Sequence, residues 1–275
     1  MEELAQLYES YLSLEDKYLP LSIDDAAGVS PANRRILADW LVRAHDRLGF
    51  TDVSLEGAMA VLDRFCAASQ ETTAKNLQLY GVAALLLSTK FHEHEVLELS
   101  MCSTLTAKSW SPDQIAVAEA RILEVLGFEL MIPTPGSIVG ILVQACSLPD
   151  SVRDYSNYLV QKSLLETSLV QIRPSLMAAS CIFSSLQALS CPAVTDVLLD
   201  RVLLFSGFEL DELKSCARVV NAAISLAPAQ TSKTKRKLNA VEQKFSQVLI
   251  GKKSKLVAPT QCHPQVFYPQ VWNER

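Results

Sequence analysis

The sequence is poor in glycine and carries few charged residues for its length. Only nine of its 275 residues are glycine, and charged residues make up 20% of the chain against 49% apolar residues. A chain with this much apolar material can bury a sizeable core, which excludes global disorder. The scarcity of glycine and the lack of any clear alternation of apolar and polar residues favour an all-α fold.

Further absences narrow the function classes. No apolar run approaches the roughly 18 residues that span a bilayer, and the chain opens on the acidic and polar residues Met1-Glu2-Glu3-Leu4 rather than on a secretory signal. No nucleophile elbow, zinc-protease motif or phosphate-binding glycine loop occurs. The net charge of −5 argues against nucleic acid or membrane as the main partner. We therefore expect a binding protein without enzymatic activity and without a cofactor.

The cysteines give no sign of disulfides or of a metal site. The chain has seven, scattered and without a C-x-x-C pair, so we predict buried free thiols in a reducing compartment, in the nucleus and cytoplasm. His92, His94 and Cys102 lie near one another, but no second ligand pair is spaced to close a tetrahedral site. We therefore predict no bound metal.

Apolar periodicity and capping residues locate the helices. Ser30-Pro31 is a start signal and Gly49 a stop signal, and Ser111-Pro112 with Gln114 combines an N-cap, an N1 proline and a capping box. The predicted helices cover roughly residues 2–16, 30–48, 54–68, 75–91, 112–126, 136–147, 151–169, 174–189, 194–205 and 209–225.

The break at residues 133–136, Pro-Thr-Pro-Gly, divides the helical part into two units. We predict an N-terminal helix and linker over 1–29, one helical unit over 30–132 and a second over 133–226. Residues 227–275 are polar, lysine-rich and dotted with proline, which indicates an extension with little core of its own.

Four charged residues fall on apolar helix faces. At 100° per residue Arg34 points towards the core, and Asp63 lies at the edge of another apolar face, which predicts a buried pair because an unpaired buried charge is costly. Glu119 stands in the middle of an apolar stripe, and Lys90 ends a helix that is apolar almost all round. Periodicity leaves two interpretations of Lys90–Glu119 open: a buried pair that fixes helix register, or a pair displayed to a partner.

These residues also carry a resemblance. Segments 33–41 (NRRILADWL), 62–65 (LDRF), 77–93 and 119–135 resemble, in order, the elements of the cyclin box of A- and B-type cell-cycle cyclins. The hallmark charges of that family fall on Arg34, Asp63, Lys90 and Glu119. Segment 174–179 resembles the central helix of the second cyclin fold.

The resemblance implies two tandem five-helix folds and a regulatory subunit that binds and activates a cyclin-dependent protein kinase. In the family the lysine–glutamate pair contacts backbone of the kinase, a role that would fall on Lys90 and Glu119. The further residues that the resemblance, with the spacing on the leading helix, assigns to the kinase interface are Phe91, Phe128, Leu130, Leu4, Tyr8 and Tyr11.

A second surface implied by the resemblance is a docking patch for Arg-x-Leu peptides of substrates or inhibitors. Its residues here would be Ile36, Leu37, Trp40, Leu77 and Gln78. Asn33 replaces a usual methionine, and Arg43 replaces a glutamate that would attract the peptide arginine, so the groove has either altered specificity or none. The alternative is that Trp40 and Leu77 only cover the core. Arg236-Lys237-Leu238 matches the peptide pattern, which is too short to be diagnostic.

A different function class uses the same double fold: a cyclin-fold adaptor in transcription, bound to promoter DNA. The net acidity of the chain and the match at Lys90 and Glu119 favour the kinase partner. A comparison of DNA binding with kinase binding separates the two classes.

Overall fold

A computed structural model describes residues 2–18, 29–69, 71–189, 192–226 and 238–251, and every regular element in this part of the chain is helical. The α-helices, in chain order, are α1 (Glu2–Tyr18), α2 (Pro31–Leu48), α3 (Asp52–Ala68), α4 (Leu77–His92), α5 (Leu99–Leu105), α6 (Pro112–Leu126), α7 (Pro135–Ala145), α8 (Asp150–Ser163), α9 (Pro174–Leu189), α10 (Pro192–Ser206), α11 (Leu210–Leu226) and α12 (Ala240–Gly251). The predicted all-α class is therefore confirmed.

The predicted helix boundaries rest on caps that the structure contains. The Ser30 hydroxyl accepts the Asn33 N–H at 3.3 Å, and Gly49 closes α2 in the left-handed region at φ 71°. At the start of α6 the Ser111 and Gln114 side chains each accept the other's backbone N–H, at 3.2 and 2.9 Å. These local hydrogen bonds fix where each helix begins.

Helices α2–α6 and α7–α11 form two units of the same plan. In the first unit α4 lies at the centre and packs against α2, α3, α5 and α6. In the second unit α9 takes that place and packs against α7, α8, α10 and α11. Both central helices are buried almost all round, so each unit wraps one apolar helix.

Two predicted elements differ from the structure. α8 ends at Ser163, followed by a short 3₁₀ helix at Thr167–Leu169, where the sequence predicted one helix to 169. The sequence also predicted no helix for α5, because its seven residues are too few to show a helical period. The five described cysteines, Cys66, Cys102, Cys146, Cys181 and Cys216, are free and buried, as predicted. No helix in the ranges described could cross a membrane.

The predicted extension contains a helix that belongs to the packed structure. α12 lies against α2 and α8, and Ala240, Val241 and Phe245 join the main core. Lys244 pairs with Asp52 on α3 at 2.5 Å. The segment was predicted as an extension with little core of its own, and the structure adds that α12 contributes to the main core. Its apolar residues lie in a segment that is polar and lysine-rich as a whole, so its composition did not indicate a packed helix.

The leading helix α1 packs on the second unit. Tyr8 is buried, its ring lies 5.4 Å from that of Phe205, and its hydroxyl donates to the Ser206 carbonyl at 3.4 Å. The buried Glu15 carboxylate accepts the backbone N–H of Ser175 and, at 2.6 Å, its hydroxyl. Tyr8 was predicted to face a partner; because its side chain is used inside the chain, we correct that assignment.

Glu56 on α3 joins the two units. Its carboxylate is buried and accepts the Gly136 N–H at 2.7 Å, in the first turn of α7. A Cβ at Gly136 would collide with this carboxylate, so the contact requires glycine there. Burial raises the pKa of Glu56 to about 7; Asp52 adds to the rise, while hydrogen bonds from Gly136 and Thr134 and the charge of Lys244 oppose it.

This pKa predicts a pH-dependent stability. A carboxyl whose folded-state pKa lies above its unfolded value of about 4.3 binds more protons in the folded state. Its contribution to the free energy of unfolding therefore falls as pH rises from about 4.5 to about 7, and is constant above. Because Glu56→Gln lacks this titration, we expect its melting temperature relative to that of wild type to be higher at pH 8 than at pH 5. Melting curves at pH 5 and pH 8 measure this, and an equal difference at both pH values contradicts it.

Candidate functional site

The last turn of α4 and the middle of α6 bring Lys90 and Glu119 together. Their side chains form a 2.5 Å ion pair in which Lys90 is 44% and Glu119 12% exposed. Lys90 is carried on the C-terminal turn of α4, where the helix dipole favours a cation. Glu119 Oε1 accepts only one of three ammonium donors. The pair thus lies at the rim of the core, and its cation faces solvent.

The chain segment after α6 displays a large aromatic side chain beside these elements. Gly127 and Phe128 are both left-handed, at φ 60° and 62°. A left-handed backbone costs a non-glycine residue roughly 1–2 kcal/mol, yet the Phe128 ring is 71% exposed and gains little burial in return. Leu130 packs against the core two residues later. A strained backbone that holds an apolar ring in water is typical of a binding surface.

The end of α1 is fastened to the same segment. Glu129 pairs with Lys17 at 2.6 Å, and its carbonyl accepts from Arg64 at 2.7 Å. The Arg64 guanidinium lies 4.6 Å from the centre of the Tyr18 ring. On α1, Leu4 is half-buried and Tyr11 packs partly on the core. The structure therefore links α1, α3 and the exit of α6.

Exposed apolar side chains accumulate on these elements. Phe91 is 48% exposed, and its ring meets His92 edge-on at 4.9 Å. The other large apolar residues left exposed between α4 and the start of α7 are Val96, Met101, Val117, Phe128 and Met131. Phe91 lies on α4 and Val117 on α6, the two helices that carry the ion pair, and the other four lie on α5 or on the connections next to these helices.

Arg34 and Asp63 form a second, buried ion pair. Arg34 Nε and Nη2 donate to the two Asp63 oxygens at 2.8 and 2.6 Å, and Nη1 donates to the Leu164 carbonyl at 2.9 Å. Both residues are at most 6% exposed. Burial acts to lower the pKa of Arg34, but the Asp63 carboxylate outweighs it and the pKa is raised. Arg34 therefore stays charged, and the pair joins α2, α3 and the end of α8.

The five residues of the predicted docking patch line one groove, which we call the α2/α4 groove. Leu37 and Leu77 are buried at its floor, so they also serve the core. The full lining comprises Asn33, Ile36, Leu37, Asp39, Trp40, Arg43, Ala74, Leu77, Gln78 and Leu238. One of these, Leu238, comes from the C-terminal segment.

Arg43, at the edge of this groove, is bound within the chain. Its guanidinium donates to Asp39 at 2.9 Å, to Asn239 at 2.9 Å and to Gln243 at 2.6 Å. Asp39 is buried and accepts the Ala240 N–H at 2.8 Å with its other oxygen. The position that differs from the family pattern therefore fastens the start of α12.

Sequence reasoning missed the three carboxylates that hold distant helix starts. Glu15, Asp39 and Glu56 accept first-turn backbone N–H groups of α9, α12 and α7, across 160, 201 and 80 residues of chain. Unsatisfied N–H groups at a helix start attract an acceptor, and the dipole favours a negative one. No local pattern marks such partners. In the part of the chain that the structure describes, no group of three His, Cys, Asp or Glu residues could hold a metal ion.

The protein is all-helical, with two tandem five-helix units and an exposed ion pair. Comparison with known proteins identifies its family. The model of the cyclin N-terminal domain matches residues 6–131, and that of the cyclin C-terminal domain matches residues 133–259. The chain belongs to the cyclin family. The second match runs through α12, consistent with its place in the fold.

Among curated relatives, G2/mitotic-specific cyclin-1 of Antirrhinum majus is 26% identical over 91% of this chain and 51% of its own length. Cyclin-B1-5 of Oryza sativa subsp. japonica is 27% identical over 88% of this chain and 54% of its own length. Cyclin-A1-1 of the same organism is 27% identical over 86% and 45%. The chain thus resembles A- and B-type cyclins and spans about half the length of these relatives.

Solved structures support the same fold. A viral cyclin from Herpesvirus saimiri superposes with a TM-score of 0.68 at 20% identity, over 81% of this chain and 96% of the viral one. A chain of the CAK complex from Chaetomium thermophilum bound to ATP-gamma-S superposes with a TM-score of 0.54 at 14% identity, over 93% and 92%. At these identities the likeness shows the fold alone.

Proposed function

We propose that this protein is a regulatory subunit that binds and activates a cyclin-dependent serine/threonine protein kinase in cell-cycle control. The observation that carries the proposal is the Lys90–Glu119 pair, which is 2.5 Å apart and has its cation 44% exposed. An enclosed pair could fix helix register but could not contact another protein, whereas the exposed Lys90 ammonium can.

The comparisons support the class of process. The curated relatives described above carry names of G2/mitotic and of A- and B-type cyclins. In the proposed complex the kinase supplies the catalytic residues and this chain positions them.

The chain's own residues can do three things at such an interface. Lys90 has donors left for backbone carbonyls of a partner helix or loop, and Glu119 can accept backbone amides. Phe91 and Phe128 supply apolar area that is at present exposed to water. The helices behind them are fixed by the Arg34–Asp63 pair, so little conformational freedom is lost on binding. A rigid face of this kind can hold a mobile kinase segment in one conformation.

Kinase assays test the proposal directly. The purified chain is mixed with each member of a panel of cyclin-dependent kinases, and phosphorylation of a protein substrate is followed with and without it. We expect no phosphorylation by the chain alone and an increase of several orders of magnitude with at least one kinase. The absence of both binding and stimulation across the panel contradicts the proposal.

A further inference from the structure

The start of α12 lies on the α2/α4 groove. Leu238 is 7% exposed and lines the groove together with Ile36, Trp40 and Leu77. It does not belong to the continuous core that takes in Ala240, Val241 and Phe245 of the same segment. Leu238 therefore owes its burial to the groove, as a bound peptide side chain would.

Polar contacts hold this segment at the groove edge. Arg43 donates to Asn239 and Gln243, while Asp39 accepts the Ala240 N–H and also binds Arg43. Three of these hydrogen bonds, of 2.6–2.9 Å, connect α2 to Asn239, Ala240 and Gln243, and the fourth joins Arg43 to Asp39 within α2; we call the set a clasp. Asp39 is buried, whereas the Arg43–Gln243 bond is exposed, so water can replace that bond first.

The two ends of the described segment are anchored differently. Val241 and Phe245 enter the core, and the Phe245 ring meets Tyr158 edge-on at 5.5 Å. Leu238 and Asn239 lie before the first helical residue, where helices fray most readily. Opening of this end can therefore expose the groove while α12 stays in place.

We propose that Leu238–Gln243 is a resident ligand of the α2/α4 groove, which keeps leucine-bearing peptides out until the Asp39–Arg43 clasp releases it. The groove beside Leu238 still has about 300 Å³ of open volume, so further side chains of a peptide can enter it. A tethered occupant acts at roughly millimolar effective concentration. With an affinity of its own of about 10–100 µM for the groove, it therefore weakens the binding of an external peptide by about 10- to 100-fold. This inference concerns binding to the chain alone and does not depend on kinase activation.

The test uses the full chain and a fluorescein-labelled peptide of residues 231–246 as probe, followed by fluorescence anisotropy. Leu238→Ser removes the occupant's apolar side chain and leaves every α2 and α4 residue of the groove unchanged. We expect it to bind the probe at least about tenfold more tightly than wild type does. Leu204→Ser is the matched control, because Leu204 is 87% exposed on α10, and it should bind as wild type does.

Further measurements locate the binding. Adding Trp40→Ala to Leu238→Ser should abolish probe binding, since Trp40 lines the groove. Amides at residues 240–243 should exchange hydrogen faster in Leu238→Ser, with the thermal transition of the protein still cooperative. Arg43→Met should shift probe binding in the same direction as Leu238→Ser, because it removes the clasp.

Three results would contradict the inference. If Leu238→Ser binds the probe no more tightly than wild type, including no binding by either, Leu238 is not a competing ligand. If residues 240–243 exchange amide hydrogens at the same rate in Leu238→Ser as in wild type, Leu238 does not hold this segment against the groove. A wild-type dimer that Leu238→Ser converts to a monomer would mean that the segment of a second copy fills the groove.

Discussion

Lys90→Ala is expected to weaken kinase binding by about 2–5 kcal/mol, or roughly 30- to 4,000-fold, and to abolish activation at ordinary concentrations. The loss has two sources: the ammonium donors no longer reach the partner, and Glu119, only 12% exposed, keeps a charge without its cation. Glu119→Ala should have a similar effect. Because both variants remove one shared contact, the double variant should lose less than the sum of the single losses.

The measurement is kinase affinity by titration calorimetry, made on variants that retain a cooperative thermal transition. Arg121→Ala is a close control, since Arg121 forms a 2.5 Å pair with Glu71 and is 43% exposed. That variant removes a pair of the same length, with an equally exposed cation, from the same helix as Glu119, and it should bind normally. A folded Lys90→Ala protein that binds and activates as wild type does would show that the pair only fixes helix register.

Arg34→Ala is expected to destabilise the fold by about 3–5 kcal/mol. The substitution leaves the Asp63 carboxylate buried without a cation and removes the donor to the Leu164 carbonyl. The midpoint of urea unfolding should fall accordingly, and the melting temperature should drop by roughly 10 °C. Arg153→Ala is the control, because its pairs with Asp150 and Asp154 are surface pairs worth at most about 1 kcal/mol.

A double variant separates the effect of losing the ion pair from the effect of leaving one buried charge unpaired. Replacing both residues, as Arg34→Met with Asp63→Leu, leaves no unpaired buried charge, so stability should be partly recovered relative to Arg34→Ala. The Leu164 carbonyl still lacks its donor, which limits the recovery. An unfolding midpoint of Arg34→Ala equal to that of wild type would mean that the pair contributes nothing to stability.

The sequence by itself determined the helical class, the two-unit plan and the faces of the main helices. These follow from local chemistry: Ser30 and Ser111 satisfy the N–H groups of their own helix starts, and Gly49 permits the left-handed turn that ends α2. The inward positions of Arg34 and Glu119 follow from helical periodicity, since a charge in an apolar stripe needs a partner. Helix α5 escaped prediction because seven residues do not establish a period.

Only the tertiary structure decided which surface each side chain serves. Tyr8 has the spacing of a partner-facing residue, but α1 packs on α7 of the second unit and Tyr8 is buried against Phe205 of α10. Glu56 and Asp39 are ordinary helix residues by pattern, yet each accepts an N–H from a helix start 80 or 201 residues away. Arg43 lies at the edge of the groove, but its guanidinium donates to the C-terminal segment of the same chain. Such contacts depend on how helices pack in three dimensions, and helical periodicity specifies the buried face of a helix without specifying what covers it.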